Sequence, residues 1–340
     1  LYIVPETMRP GVYTYTHISP AYAKKSSRTG AVLIAPASTG DTDVVHKTAT
    51  LAEVITLFGT DADGTVLSSM AQILLDAGVF PLYCIGMGTD IDAALAAAQQ
   101  LCDIGAVILG SAQKDDLTAL SAHVQSCSKA AKERIGVAPV SLDSACTLAQ
   151  ALNDPHMVLC CDAGSATHLT AAALGAKILT SDPSANFNGI SVPVGGTFDG
   201  TLTAQQVENL LKSGVTPFEK VGSDVVCIRA VTTCTQQDGL ADNTFSSLST
   251  VLAADEVVSS IRAALKKRLH GLRNNPATRE SIATQITIEL EAKKSLGLID
   301  SYQLPTVSVH PQDSGICVAQ LAFKVAPEVS QIVIMAEIQM

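Results

Sequence analysis

The sequence has no tryptophan, only 4% aromatic residues and only 16% charged ones. Sparse charge excludes a solvated, disordered chain, which would lack the apolar residues that make up 47% here. Few aromatics means few stacking platforms for single-stranded nucleic acid. A net charge of −10 removes the basic surface that non-specific nucleic-acid binding needs. No nucleic-acid partner is expected. No apolar run reaches the length of a membrane span, and no charged-then-apolar signal opens the chain, so no membrane insertion is expected. Leu1 stands where an initiator methionine would, which leaves trimming of the N-terminus open.

Catalytic motifs are missing as well. The nine cysteines are scattered without a C-x-x-C and read as buried, reduced thiols of a cytoplasmic protein. There is no G-x-x-x-x-G-K-[ST] and no G-x-S-x-G. "IGMGTD" (85–90) has Gly86 and Gly88 but not the third glycine of a dinucleotide fingerprint. "CCDAGSATH" offers Cys160, Cys161, Asp162 and His168, but adjacent cysteines on a strand point to opposite faces. That stretch reads as a strand end followed by a helix capped at Ser165. No catalytic, cofactor-binding or metal-ligating residue is expected, and the chain does not read as an enzyme.

What is present is apolar. Positive mean hydropathy without a membrane segment predicts large cores or a surface much covered by partners. Between 80 and 180, short apolar strands alternate with amphipathic helices, which predicts an α/β fold with a mostly parallel sheet flanked by helices. A strand is expected at 31–37, another at 43–49 and a helix at 64–77. Residues 183–202 are rich in turn formers and read as a surface connection. Thr203 caps a helix, and the stretch from Val215 to Thr233 reads as a hairpin turning at Gly222-Ser223. Two helices follow, the first with Asp255 and Glu256 in its first turn, and then strands to the end.

Both ends alternate with period two. Val12, Thr14, Thr16 and Ile18 oppose Tyr13 and Tyr15; Ile332, Ile334, Ala336 and Ile338 oppose Val333 and Met335. Terminal strands with one apolar face suit pairing with another copy's sheet edge. Arg262, Lys266, Lys267 and Arg273 form a basic stretch without an acid between them. It reads either as a solvated face with a favourable helix-end charge or as a docking face for an acidic partner.

Several segments, in order, resemble contractile tail sheath proteins of the Mu-type branch, also found in phage-tail-like bacteriocins and injection systems. "RPGVYTYTHISPAY" is similar to their Pro-Gly-Val-Tyr opening. "VTPFEKVGSDVVCIRAVTTCT" is similar to a hairpin that closes on Arg-x-Val-Thr-Thr, matched by Arg229, Val231, Thr232 and Thr233. "SDPSANFNGISVP", "LAADEVVSSIRAALKKR" and the closing "GLIDSYQLPTVSVHPQD…VAQLAFKVAPEVSQIVIMAEIQM" continue the likeness.

The resemblance implies a discontinuous inner α+β domain built from both termini, an inserted outer α/β domain and extended terminal strand arms. The corresponding division is 1–29 as N-terminal arm and linker, 30–214 as outer domain and 215–340 as inner domain with a C-terminal arm. It implies a structural subunit that stacks in six-fold rings with identical subunits around an inner tube, meets baseplate and terminator proteins, and uses no cofactor. Arg262, Lys266, Lys267 and Arg273 would then face the tube. Assembly would take place in the bacterial cytoplasm. The rival reading is a doubly wound α/β small-molecule-binding domain or enzyme, with its ligand near 86–90 and 162–165.

Overall fold

The computed structural model describes residues 29–328 apart from 63, 165, 195–197, 199, 238 and 269–272. The expected strands at 12–18 and 332–338, and the expected cap Ser165, lie outside the described residues.

The first body is built by alternation. β1 (Gly30–Ala35) is followed by β2 (His46–Thr48), α1 (Leu51–Phe58), α2 (Leu67–Asp76), β3 (Leu82–Gly86) and α3 (Ile91–Gln99). Then come β4 (Ile104–Leu109), α4 (Lys114–Lys129), β5 (Ile135–Pro139), α5 (Leu142–Leu152), β6 (Met157–Cys161) and α6 (Thr167–Thr180). β7 (Ile190–Val192), α7 (Ala204–Lys212), β8 (Val215–Val221) and β9 (Asp224–Cys227) complete it. The nine strands form one sheet in the order β2-β3-β1-β4-β5-β6-β8-β9-β7. Its centre, from β3 through β8, is parallel, and antiparallel strands close both edges.

Local chemistry sets these elements. The GAVLIA of β1 is buried at every position, as a strand covered on both faces must be. Thr50 with Glu53, and Thr203 with Gln206, form capping boxes that start α1 and α7. The pleat then sends alternate side chains to two separate cores. Leu33 and Cys160 lie in one; Ile34 and Cys161 lie in the other.

A second, smaller body follows. After the short ribbon of β10 (Gln236–Gln237) and β11 (Leu240–Ala241) come α8 (Leu248–Arg268) and α9 (Pro276–Ser295). β12 (Ile299–Tyr302) pairs with β15 (Phe323–Val325), and β13 (Thr306–Val309) pairs with β14 (Cys317–Gln320). Asn275 caps α9 and Pro276 opens it, which costs nothing because the first turn's N–H groups have no helical partner. Val257 and Ile261 of α8 pack with Ile282, Ile286 and Leu290 of α9 and with Ile299; Tyr302, Val307 and Phe323 cover them.

Four expectations differ from the structure. The hairpin of β8 and β9 does not stand with the following helices: β8 pairs with β6 and extends the large sheet beyond residue 214. Val215, Thr216 and Phe218 are fully buried there, so the hairpin is fixed by the sheet. The stretch expected as surface connection contains β7 and buries Phe187, Val192 and Phe198 in the core. The strand expected at 43–49 shortens to His46–Thr48. Finally, α8 starts at Leu248, so Asp255 and Glu256 lie inside the helix and its first turn holds no acid. Burying Leu248 and Val251 overrides the turn preference of the Ser/Thr residues around them.

Candidate functional site: the junction along helix α8

α8 belongs to two cores. Leu248 and Val251 are buried with the large sheet, whereas Val257 and Ile261 are buried against α9. Between them the helix passes the starts of β5 and β6, and polar side chains join it there. Asp255 and Arg262 are seven residues apart, about two turns, so both face the same side.

Asp255 meets His156, whose Nε2 lies 3.3 and 3.2 Å from its two carboxylate oxygens. Each side chain is only 16% exposed. Burial alone would lower the pKa of His156. The hydrogen bond and charge of Asp255, with the charges of Asp154 and Glu133, outweigh it and raise the value above 6.5. Arg262 grips Glu133 with a two-pronged bond, Nη2 to Oε1 at 2.6 Å and Nη1 to Oε2 at 3.0 Å, and also donates to the Ala131 carbonyl at 3.2 Å. On the other side of α8, Glu256 takes Lys293 of α9 at 2.7 Å.

The segment leading to α8 is pinned by threonines. Thr216 Oγ1 accepts the Val231 N–H at 3.0 Å and donates to the Val231 carbonyl at 2.9 Å. Thr232 Oγ1 donates to the Phe245 carbonyl at 2.6 Å. Thr233 Oγ1 accepts the Asp154 N–H at 2.9 Å and donates to the Asp154 carbonyl at 3.0 Å. All three threonines are completely buried, so hydroxyls replace ladder bonds that the interrupted strand does not make. Arg229, Val231, Thr232 and Thr233, matched from sequence, thus all lie on the path from sheet to junction helix.

The basic stretch divides. Arg262 is turned inward onto Glu133, while Lys266 and Arg273 are exposed. Lys267 lies in α8, but its side chain is outside the described part. The pairing partners His156 and Glu133 carry no motif. The seven-residue spacing of Asp255 and Arg262 was their one sequence signal.

At the places where a doubly wound reading expects a ligand, the chain's own groups take up part of the polar contacts. Ligands in such sheets sit where the strand order reverses, here between β1 and β4. A methyl group on Gly110, just after β4, would lie 2.6 Å from Ala35 Cβ and 3.0 Å from Val66 Cγ2, so the chain packs closely on that side. A cavity of about 310 Å³ opens beyond the ends of β4, β5 and β6, lined by Gly110, Ser141, Asp162, Gly164, Thr167 and His168. At 86–90 the Gly88 N–H donates to Asp43 at 3.3 Å, placing a carboxylate where a phosphate would have to sit. At 162–165 the Asp162 carboxylate accepts the Gly164 N–H and the Thr167 and Thr170 hydroxyls.

No family model matches this sequence, and no curated protein sequence does. Solved structures do match in shape. A chain of the anti-feeding prophage baseplate superposes with a TM-score of 0.72 at 15% identity, covering 98% of this chain and 100% of that one. A chain of the contracted PVC sheath complex, an extracellular contractile injection system, gives 0.69 at 14% identity, with 98% of each chain covered. A sheath tail protein of Desulfitobacterium hafniense gives 0.67 at 11% identity, covering 93% of this chain and 100% of that one. The fold is that of a contractile sheath protein. In this sheath fold both the sheet body and the helical module are part of the likeness, because nearly the whole of each chain is matched. The helical module of the sheath fold carries two separate two-stranded ribbons. Among the described residues, each ribbon therefore leaves outer edges without a third strand.

Proposed function

We propose that this chain is a structural subunit of a contractile sheath. Copies polymerise as stacked hexameric rings around an inner tube, and the sheath contracts to drive the tube through a target envelope. The observation that carries this reading is the likeness to sheath chains over the full length of both partners. A shared sheet alone would be compatible with many activities. A sheet body, a bridging helix and a ribbon-bearing module matched together are far more restrictive.

The division proposed from sequence remains the frame: an arm and linker at 1–29, an outer body and an inner module with a C-terminal arm. The open ribbon edges support strand donation between subunits, with 12–18 and 332–338 as the donated strands. A head-to-tail contact that does not close builds a helical tube. Lys266, Lys267 and Arg273 would face the inner tube, and baseplate and terminator proteins would cap the assembly. Contraction would release energy stored in a metastable packing, with no cofactor consumed.

Electron microscopy of the purified full chain tests this reading. Long striated tubes are expected. Removing 330–340 should give folded monomers that build none. Monodisperse globules from the intact chain, with or without tube protein, would overturn the proposal.

A further inference from the structure

We propose that the angle between the sheet body and the helical module is held by a proton-dependent clasp, His156 on Asp255, backed by a proton-independent one, Arg262 on Glu133. The geometry comes first. α8 is anchored in one core by Leu248 and Val251 and in the other by Val257 and Ile261. Beyond Val251, Asp255 and Arg262 make bonds that tie it to the starts of β5 and β6. A helix shared by two cores is where one body can swing against the other, and two side-chain pairs on one face set its position.

The groups around His156 make it sensitive to protons. Asp255 faces it from α8, with Glu256 drawn to the opposite side by Lys293 of α9. Asp154, in the preceding turn, acts on the ring through its charge; its carboxylate accepts the backbone N–H of His156 at 2.8 Å and bonds from Ser121 and Gln125 of α4. Glu133 faces it from the start of β5, held by Arg262. Arg134 beside it is turned to the carbonyls of Ala98 and Leu101. Three carboxylates thus surround one imidazole.

The direction of the effect follows. The folded pKa is raised above the ordinary imidazole value of 6.5, so the charged pair is fully formed below that value. As pH rises through the raised value, the ion pair becomes a neutral hydrogen bond and the hold weakens. Arg262, whose pKa the Glu133 bond raises further, keeps its charge throughout that range, and that bond does not involve the imidazole. This inference does not rest on the sheath reading, because the clasp lies within one chain.

The test uses the full-length chain as monomer. The His156 ring is titrated by NMR, and amide exchange in α8 is followed between about pH 6 and pH 9, corrected for intrinsic exchange. His156 should titrate above 6.5, and protection around Asp255 to Arg262 should fall severalfold across the titration. Asp255→Asn should lower the His156 titration and flatten the pH dependence of protection. His156→Gln should flatten it too and stands alone if the first variant does not fold. Glu133→Gln should reduce protection at every pH and leave the dependence in place. A His156 titration at or below 6.5, protection that does not change with pH, or a dependence that survives His156→Gln would each overturn the clasp.

Discussion

Thr233 shows how one hydroxyl can hold two segments. It bonds both backbone groups of Asp154, a residue 79 positions away in sequence. Thr233→Val keeps the shape but leaves the buried Asp154 N–H unpaired and its carbonyl with the Met157 N–H alone. A loss of about 1–3 kcal/mol is expected in urea unfolding; a variant as stable as the parent would show that water replaces the hydroxyl. Cysteines differ just as sharply by position. Burial pushes Cys84 up to about 11 and Cys161 up to about 12, and raises Cys160 and Cys227 as well. Cys102 is exposed. A thiol reagent at about pH 8 should therefore label Cys102 first and reach Cys84, Cys160, Cys161 and Cys227 only on unfolding. The sequence reading expected buried thiols; Cys146, Cys234 and Cys317 are only partly buried, and Cys102 departs furthest because it sits in the turn between α3 and β4, outside either core.

At the scale of elements, α8 carries the most consequence. Its second half is held by apolar packing in the small core, where Val257 and Ile286 are completely buried. Val257→Ala and Ile286→Ala should each destabilise the helical module by about 2–4 kcal/mol, estimated from large-to-small core substitutions. Because the sheet body has its own cores, unfolding of these variants should separate into two steps, the helical module first. Calorimetry checks this; one unbroken transition would mean that α8 couples the bodies fully. The alternation of strand and helix from β3 to α6 was legible because each period is strong in isolation. The start of α8 was not, because Leu248 and Val251 become helical only where the sheet offers them a core.

For the whole molecule, charge and edges decide what it can join. The acidic chain carries a local basic patch, from which Arg262 is withdrawn by Glu133, leaving Lys266 and Arg273 exposed. Under the proposed role, Lys266→Glu combined with Arg273→Glu should abolish loading onto the inner tube while ring stacking persists. Arg262→Glu should instead disturb the junction, because it would face Glu133. Co-sedimentation of sheath with tube separates the two effects; loading that tolerates the double reversal would remove these residues from the tube face.

By itself the sequence determined the class of structure: period-two apolar runs between period-3.6 stripes can bury their faces only as a covered sheet, and the scarcity of charge calls for extensive burial. It also marked the cap at Thr203, whose partner Gln206 lies three residues away. Only the tertiary structure decided where one body ends. The hairpin of β8 and β9 joins β6, and His156, Glu133, Asp255 and Arg262 meet across a junction, with 99 positions between His156 and Asp255. Such pairings depend on which edges and helix faces come together in space, and local periodicity carries no record of that.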